Sequence, residues 1–97
     1  VQALKAMLLA LHFSFFVARL NKLYTFVYED NQWALDQNLR MGFNLEGTLR
    51  DHYFFRDDGF VTVHATGLTR NQLQCDTRLC GLASRWLGLR WPAELIR

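Results

Sequence analysis

Proline occurs once in this sequence, at Pro92, and cysteine twice, at Cys75 and Cys80. Two cysteines at C-x4-C spacing make no disulfide framework. Without a second pair or suitably placed histidines they make no zinc site either. They read as ordinary thiols of a reducing cytoplasm, and no metal is expected. A long uncharged apolar run is also missing. Val1–Leu20 is mostly apolar, but Lys5, His12 and Arg19 interrupt it every seven residues. A membrane span needs about 20 apolar residues with few charges, and no small-residue cleavage site marks a signal peptide. The net charge is only +2, too small to argue for nucleic acid. The sequence opens on Val rather than Met, which fits a fragment.

Apolar material is abundant: 51% of the 97 residues are hydrophobic and 14% aromatic, enough to exclude disorder. The length suits one domain. Residues 1–73 balance seven basic against seven acidic side chains. The excess therefore comes from the tail, where Arg78, Arg85, Arg90 and Arg97 face Asp76 and Glu94. Such a tail suits an acidic partner or membrane surface, or simply a solvated helix face. The organisation expected is a domain over 1–73 followed by a basic amphipathic tail over 74–97.

The pattern predicts a helix from Ala3 to Leu20. Leu4, Leu8, Leu11 and Phe15 line one face, and Leu9, Phe13, Phe16 and Leu20 load another, as in a helix packed inside a larger body. Lys5, His12 and Arg19 fall on one narrow stripe, a thin wet edge. Lys22–Tyr28, apolar on both faces, predicts an interior strand parallel to a neighbour and covered on both sides. Glu29-Asp30-Asn31 is a helix-capping cluster for a helix over Gln32–Met41, which Gly42 stops.

Phe43–Phe55 predicts a long strand with a bulge or bend at Gly47. Asp57-Asp58-Gly59 supplies hairpin chemistry, and Phe60–Leu68 returns. In the tail, Leu79, Leu82, Ala83, Trp86 and Leu87 keep helical spacing; Gly81 and Gly88 weaken that helix and Pro92 stops it. The order is helix, strand, helix, strand, turn, strand, then a helical tail. It points to an α/β protein with a mixed sheet and an antiparallel edge.

Two blocks carry a family signal: Glu29-Asp30-Asn31-Gln32-Trp33-Ala34, and Met41-Gly42-Phe43-Asn44-Leu45-Glu46-Gly47-Thr48-Leu49-Arg50. They resemble the N-x-x-A helix start and G-F-x-x-E-G strand in the later half of GNAT-superfamily N-acetyltransferases. Asn21-Lys22-Leu23-Tyr24, Gly59-Phe60-Val61 and Gly67-Leu68-Thr69-Arg70 fall at the family's usual places. The resemblance covers Ala3 to Arg70 and is nearest in flavour to branches that acetylate ribosomal protein N-termini, diamines or amino sugars. It implies the C-terminal half of the acyl-CoA N-acyltransferase fold, with the first half missing.

What the resemblance implies is direct transfer of acetyl from acetyl-CoA to a primary amine. That chemistry needs a base, oxyanion donors and a pyrophosphate cradle, which the family builds from a glycine-rich loop at a helix N-terminus. This sequence starts just past that loop. The resemblance places coenzyme contacts at Asn31, Ala34 and Asn38, though Asn31 has a complete alternative role as a helix cap. Many relatives carry a thiolate-protonating Tyr where Asn38 stands, and an amide cannot do that work. The remaining catalytic candidates are His52 and Tyr53, expected on opposite faces of their strand, with His64 behind them. Arg50 suits either an anionic group or a salt bridge to Asp51 or Glu46.

Two readings follow: an N-acetyltransferase seen in part, or a non-catalytic remnant serving as an interaction or oligomerisation module. A third, a basic peptide acting at membranes, fits the tail and first helix but not the resemblance. The strands and helices left uncovered are expected to drive self-association. Weak binding of acetyl-CoA by the 97 residues alone is expected too.

Overall fold

The computed structural model describes residues 2–91. Expectations resting on Val1, Pro92, Glu94 and Arg97 lie outside the described residues. The element order is α1 (Gln2–His12), a π-helical turn (Phe13–Val17), β1 (Lys22–Tyr28), α2 (Gln32–Arg40), β2 (Asn44–Phe55), β3 (Gly59–Thr69), α3 (Arg70–Cys75) and α4 (Thr77–Leu87). This is the expected α/β architecture. The chain forms two compact units, one of residues 1–23 with 69–97, the other of residues 24–68.

In the first unit, α1 buries Leu8 and Leu11, and Phe15 continues the same stripe into the π turn. The predicted helix to Leu20 is too long as a regular α-helix. Ser14 Oγ donates to Ala10 O at 2.8 Å, competing for a carbonyl that the regular ladder would use. The chain then widens: Ala18 N donates to Phe13 O and Leu20 N to Ser14 O. Arg19 follows with φ 56°, in the left-handed region, and leaves the stripe.

The expected wet edge is corrected as well, because helix α4 and Trp91 cover its other members. Lys5 Nζ lies 5.8 Å over the Trp86 ring, and the buried Trp91 donates through Nε1 to His12 Nδ1 at 3.2 Å. Indole N–H can only donate, so the half-buried histidine supplies the acceptor a buried tryptophan needs.

Two capping motifs organise the tail. Thr69 and Gln72 form a reciprocal capping box at α3, and Asp76 caps α4 through Leu79 N. Helix α4 buries Leu79 and Ala83. It closes at Gly88, one of the two glycines expected to weaken it. Gly88 takes φ 68° and closes the helix with bonds from Gly88 N to Ser84 O and Leu89 N to Ala83 O. Glycine adopts that left-handed cap without a Cβ clash.

The second unit holds a three-stranded sheet in the order β1-β3-β2. Strands β2 and β3 are antiparallel. Strands β1 and β3 are antiparallel too, since Glu29 N donates to Thr62 O while Thr25 meets Thr66. The expectation of an interior β1 with a parallel neighbour is therefore corrected. Among the described residues β1 is an edge strand, and only Val27 on it is buried. Its two-sided apolar pattern reflects an outward row of Tyr24, Phe26 and Tyr28 that stays exposed. Val27, Leu35, Phe43, Val63 and Leu68 make the core of this unit, with Thr66 fully buried among the polar residues.

Gly42, φ 98°, ends α2 as expected. The register of β2 against β3 slips between Leu45 and Gly47, which places the anticipated bulge. It slips again between Leu49 and Tyr53, where Arg50, Asp51 and His52 oppose Thr62 alone. Asp51 takes φ 50° there, and its backbone N–H bonds to Thr62 Oγ1.

Candidate functional site

The site region lies within the second unit, around the start of α2 and the β2–β3 hairpin. Asn31 is exposed at the N-cap of α2, and its Oδ1 accepts from Ala34 N at 3.1 Å. That bond answers one of the unpaired amides of a helix start. Ala34 is half-buried one turn in.

Asn38 is half-buried on the same helix, and its amide is engaged: Nδ2 donates to Thr25 Oγ1 at 2.8 Å. Thr25 Oγ1 in turn meets the buried Thr66 Oγ1 at 2.7 Å. The three side chains tie α2 to β1 and β3, a connection that the sequence reading missed. Its signal was the threonines placed at inward positions of both strands.

His64 pairs across the hairpin with Thr48, Nδ1 to Oγ1 at 3.0 Å. His52 and Tyr53 do not diverge as strand alternation predicted. The second bulge breaks the alternation, because residues in it no longer match one partner each. The two rings lie 5.1 Å apart, and both lie against Phe26 of β1, at 5.7 and 6.2 Å between centroids. Tyr28 continues this row, 6.2 Å from Tyr53 and 4.7 Å from Phe55. Arg50 is exposed in the same bulge.

Beside these rings opens a cleft of about 460 Å³. Tyr28, Phe55 and Phe60 supply its aromatic wall; Glu29, Asp30, Asp51 and Asp58 supply its charge. Sequence reasoning spent Glu29 and Asp30 on a cap, Asp58 on a turn and Asp51 on a salt bridge to Arg50. The turn reading holds: Asp58 N bonds to Phe55 O, and Gly59 takes φ 74°. What escaped notice is that β1 and the hairpin bring both acidic pairs to one opening.

Away from this region, both cysteines are free, Cys75 exposed and Cys80 half-buried. Burial pushes the Cys80 thiol above its ordinary value of 9.0, and the negative charges of Asp76 and Cys75 add to that. Among the described residues, no group of His, Cys, Asp and Glu is placed to hold a metal ion. No helix there is long and apolar enough to cross a membrane.

An α/β fold in which a strand runs into an Asn-capped helix and then an antiparallel hairpin resembles the later part of the GNAT-superfamily N-acetyltransferases. The solved structures it resembles include those of spermidine N-acetyltransferase SpeG from Vibrio cholerae. A point mutant of that enzyme matches with a TM-score of 0.67 at 26% identity, over 78% of this chain and 42% of that one. Its dodecameric structure in an intermediate state and its complex with manganese ions each match with a TM-score of 0.66 at 26% identity. Each of those covers 78% of this chain and 43% of the other. The chain thus spans about two-fifths of the length of these enzymes. No family profile matches it, and no curated protein does.

Proposed function

We propose that this chain is the later part of an N-acetyltransferase domain that moves acetyl from acetyl-CoA to a primary amine. The observation that carries the reading is the match to a spermidine N-acetyltransferase over 78% of the chain, with a TM-score of 0.67. The same residues that gave the family signal build the Asn31-capped helix and the bulged strand after Gly42.

In this reading Asn31 and Ala34, at the exposed start of α2, lie along the coenzyme. The helix start favours a polar or anionic group of the coenzyme through its free amides and dipole. Asn38 holds α2 against the sheet through Thr25. Its amide is committed to Thr25, so the leaving thiolate takes its proton from another group. His52 and Tyr53, gathered at Phe26, are the titratable side chains offered for the amine side.

Acetyl transfer is tested with the product of the whole reading frame that encodes this chain. It is incubated with acetyl-CoA and a panel of primary amines that includes spermidine, and the products are read by mass spectrometry. One or more N-acetylated amines are expected. A panel that stays unmodified, with the protein folded, overturns the reading. Calorimetry on the 97 residues alone should show weak acetyl-CoA binding, because their six glycines include no clustered loop to cradle a pyrophosphate.

The interaction-module reading draws on a different observation, the exposed apolar side chains of α1 and β1. It is compatible with a dodecameric relative and bears on assembly rather than chemistry.

A further inference from the structure

The fold brings Cys75 and Cys80 to one corner of the first unit, and both thiols there are free. Cys75 is the last residue of α3, Asp76 follows as the extended N-cap of α4, and Cys80 stands one turn into α4. Counted from that cap, Cys75 lies one position before it and Cys80 is the fourth helical residue. Side chains at these two positions fold over a helix start and pack on each other, a place usually held by an apolar pair. Here thiols hold it.

The hydrogen bonds fix the sulfur more closely. Cys80 Sγ points back at the final turn of α3, 3.4 Å from Leu73 O and 3.9 Å from Gln74 O. The Gln74 carbonyl belongs to the planar peptide that leads into Cys75, so Cys80 Sγ lies beside its partner's backbone. Leu73 O also accepts from Asp76 N at 3.1 Å. Withdrawing the thiol therefore leaves that carbonyl paired. Charge reports the same closeness: burial first, then Asp76, then Cys75, push the Cys80 thiol up.

We propose that Cys75 and Cys80 form a reversible thiol–disulfide pair, in which a peroxide oxidises Cys75 and Cys80 closes the disulfide across the start of α4. The Cys75 thiolate attacks one peroxide oxygen. The S–O bond forms, the O–O bond breaks, and the released hydroxide takes up a proton to leave as water. The Cys80 thiolate then attacks the sulfenic sulfur of Cys75. The S–S bond forms as the S–O bond breaks, and the second hydroxide is likewise protonated to water. The two sulfurs together lose two electrons, and the peroxide gains them. Exposure assigns the order, because Cys75 is open to solvent and Cys80 is half-buried. So short a loop gains little from closure, which keeps the bond open to thiol reductants.

The test mixes the full chain with an isotopically labelled copy and treats both with hydrogen peroxide near neutral pH. Free thiols are alkylated, and the protein is digested with trypsin without reductant. Cleavage after Arg70, Arg78 and Arg85 separates the cysteines. The disulfide then appears as peptides 71–78 and 79–85 joined, lighter by two hydrogens than their sum. Joined pairs of a single isotope are expected, and dithiothreitol should release them. Isotopes mixed at the statistical ratio would mean bonding between chains and would overturn the proposal.

Dimedone, which traps sulfenic acids, reads the first step. Cys80→Ser should collect roughly tenfold more adduct at Cys75 than the native chain, since a thiol tethered in the same corner acts at millimolar effective concentration or more. Cys75→Ser should leave Cys80 almost free of adduct. Equal trapping in the native chain and Cys80→Ser, or a native chain that yields no joined peptides, would sink the pair.

Discussion

Thr25 accepts a hydrogen bond from Asn38 and shares another with Thr66, a residue with no solvent exposure. Removing one member of such a chain strands the next, and an unpaired buried polar group costs about 1–3 kcal/mol. Thr25→Val should therefore destabilise the protein by about 1–2 kcal/mol in urea unfolding, while Thr25→Val with Asn38→Leu should cost less than the two singles together. Strict additivity would sink the coupling. Cys80 offers a second test at this scale. Its folded pKa is raised above the ordinary value of 9.0, so its neutral thiol contributes stability that is fully present below that value. That contribution is lost as pH rises through the folded value. Iodoacetamide at mildly alkaline pH should label Cys80 more slowly in the folded chain than in urea, as peptide mass mapping would show.

Elements in this protein end where a few residues force them to. Helix α4 closes on Gly88 in the left-handed region, with nothing within 4 Å of where a Cβ would stand. The cost of Gly88→Ala is then purely conformational, about 1 kcal/mol, and thermal unfolding should report it; a neutral outcome would mean the cap is dispensable. Strand β2 is broken twice in register, and the two breaks differ in legibility. The Gly47 bulge was readable, because a glycine inside a strand pattern invites one. The bulge at Arg50–His52 carries no glycine or proline. It is maintained by Asp51 N bonding to Thr62 Oγ1 across the hairpin, a long-range contact that no local pattern announces.

Considered whole, the chain exposes many large apolar side chains. Leu9 is 53%, Phe13 60% and Val17 62% exposed along α1 and the π turn, and Tyr24 is 65% exposed on β1. Contiguous apolar surface of that kind marks an interface, and an edge strand adds unpaired backbone groups. The 97-residue chain should self-associate in light scattering, and Leu9→Lys with Phe13→Glu should shift it toward monomer. A monodisperse monomer before substitution would refute this. The first helix looked, from its all-round hydrophobicity, like one packed within a larger body. In the structure its second apolar face is the exposed Leu9–Phe13–Val17 stripe.

The sequence by itself determined the order of the elements, the Asn31 and Gly42 ends of α2 and the hairpin turn at Asp57-Asp58-Gly59. All of these rest on interactions within a few residues, where capping, left-handed backbone and side-chain period act directly. Only the tertiary structure decided that Asn38 spends its amide on Thr25. It also decided that His52 and Tyr53 share one side, and that Trp91 reaches back to His12. The convergence of Glu29, Asp30, Asp51 and Asp58 on one cleft was likewise settled there. Each of these joins residues far apart in the chain, and their meeting depends on strand order and register, which side-chain pattern alone leaves open.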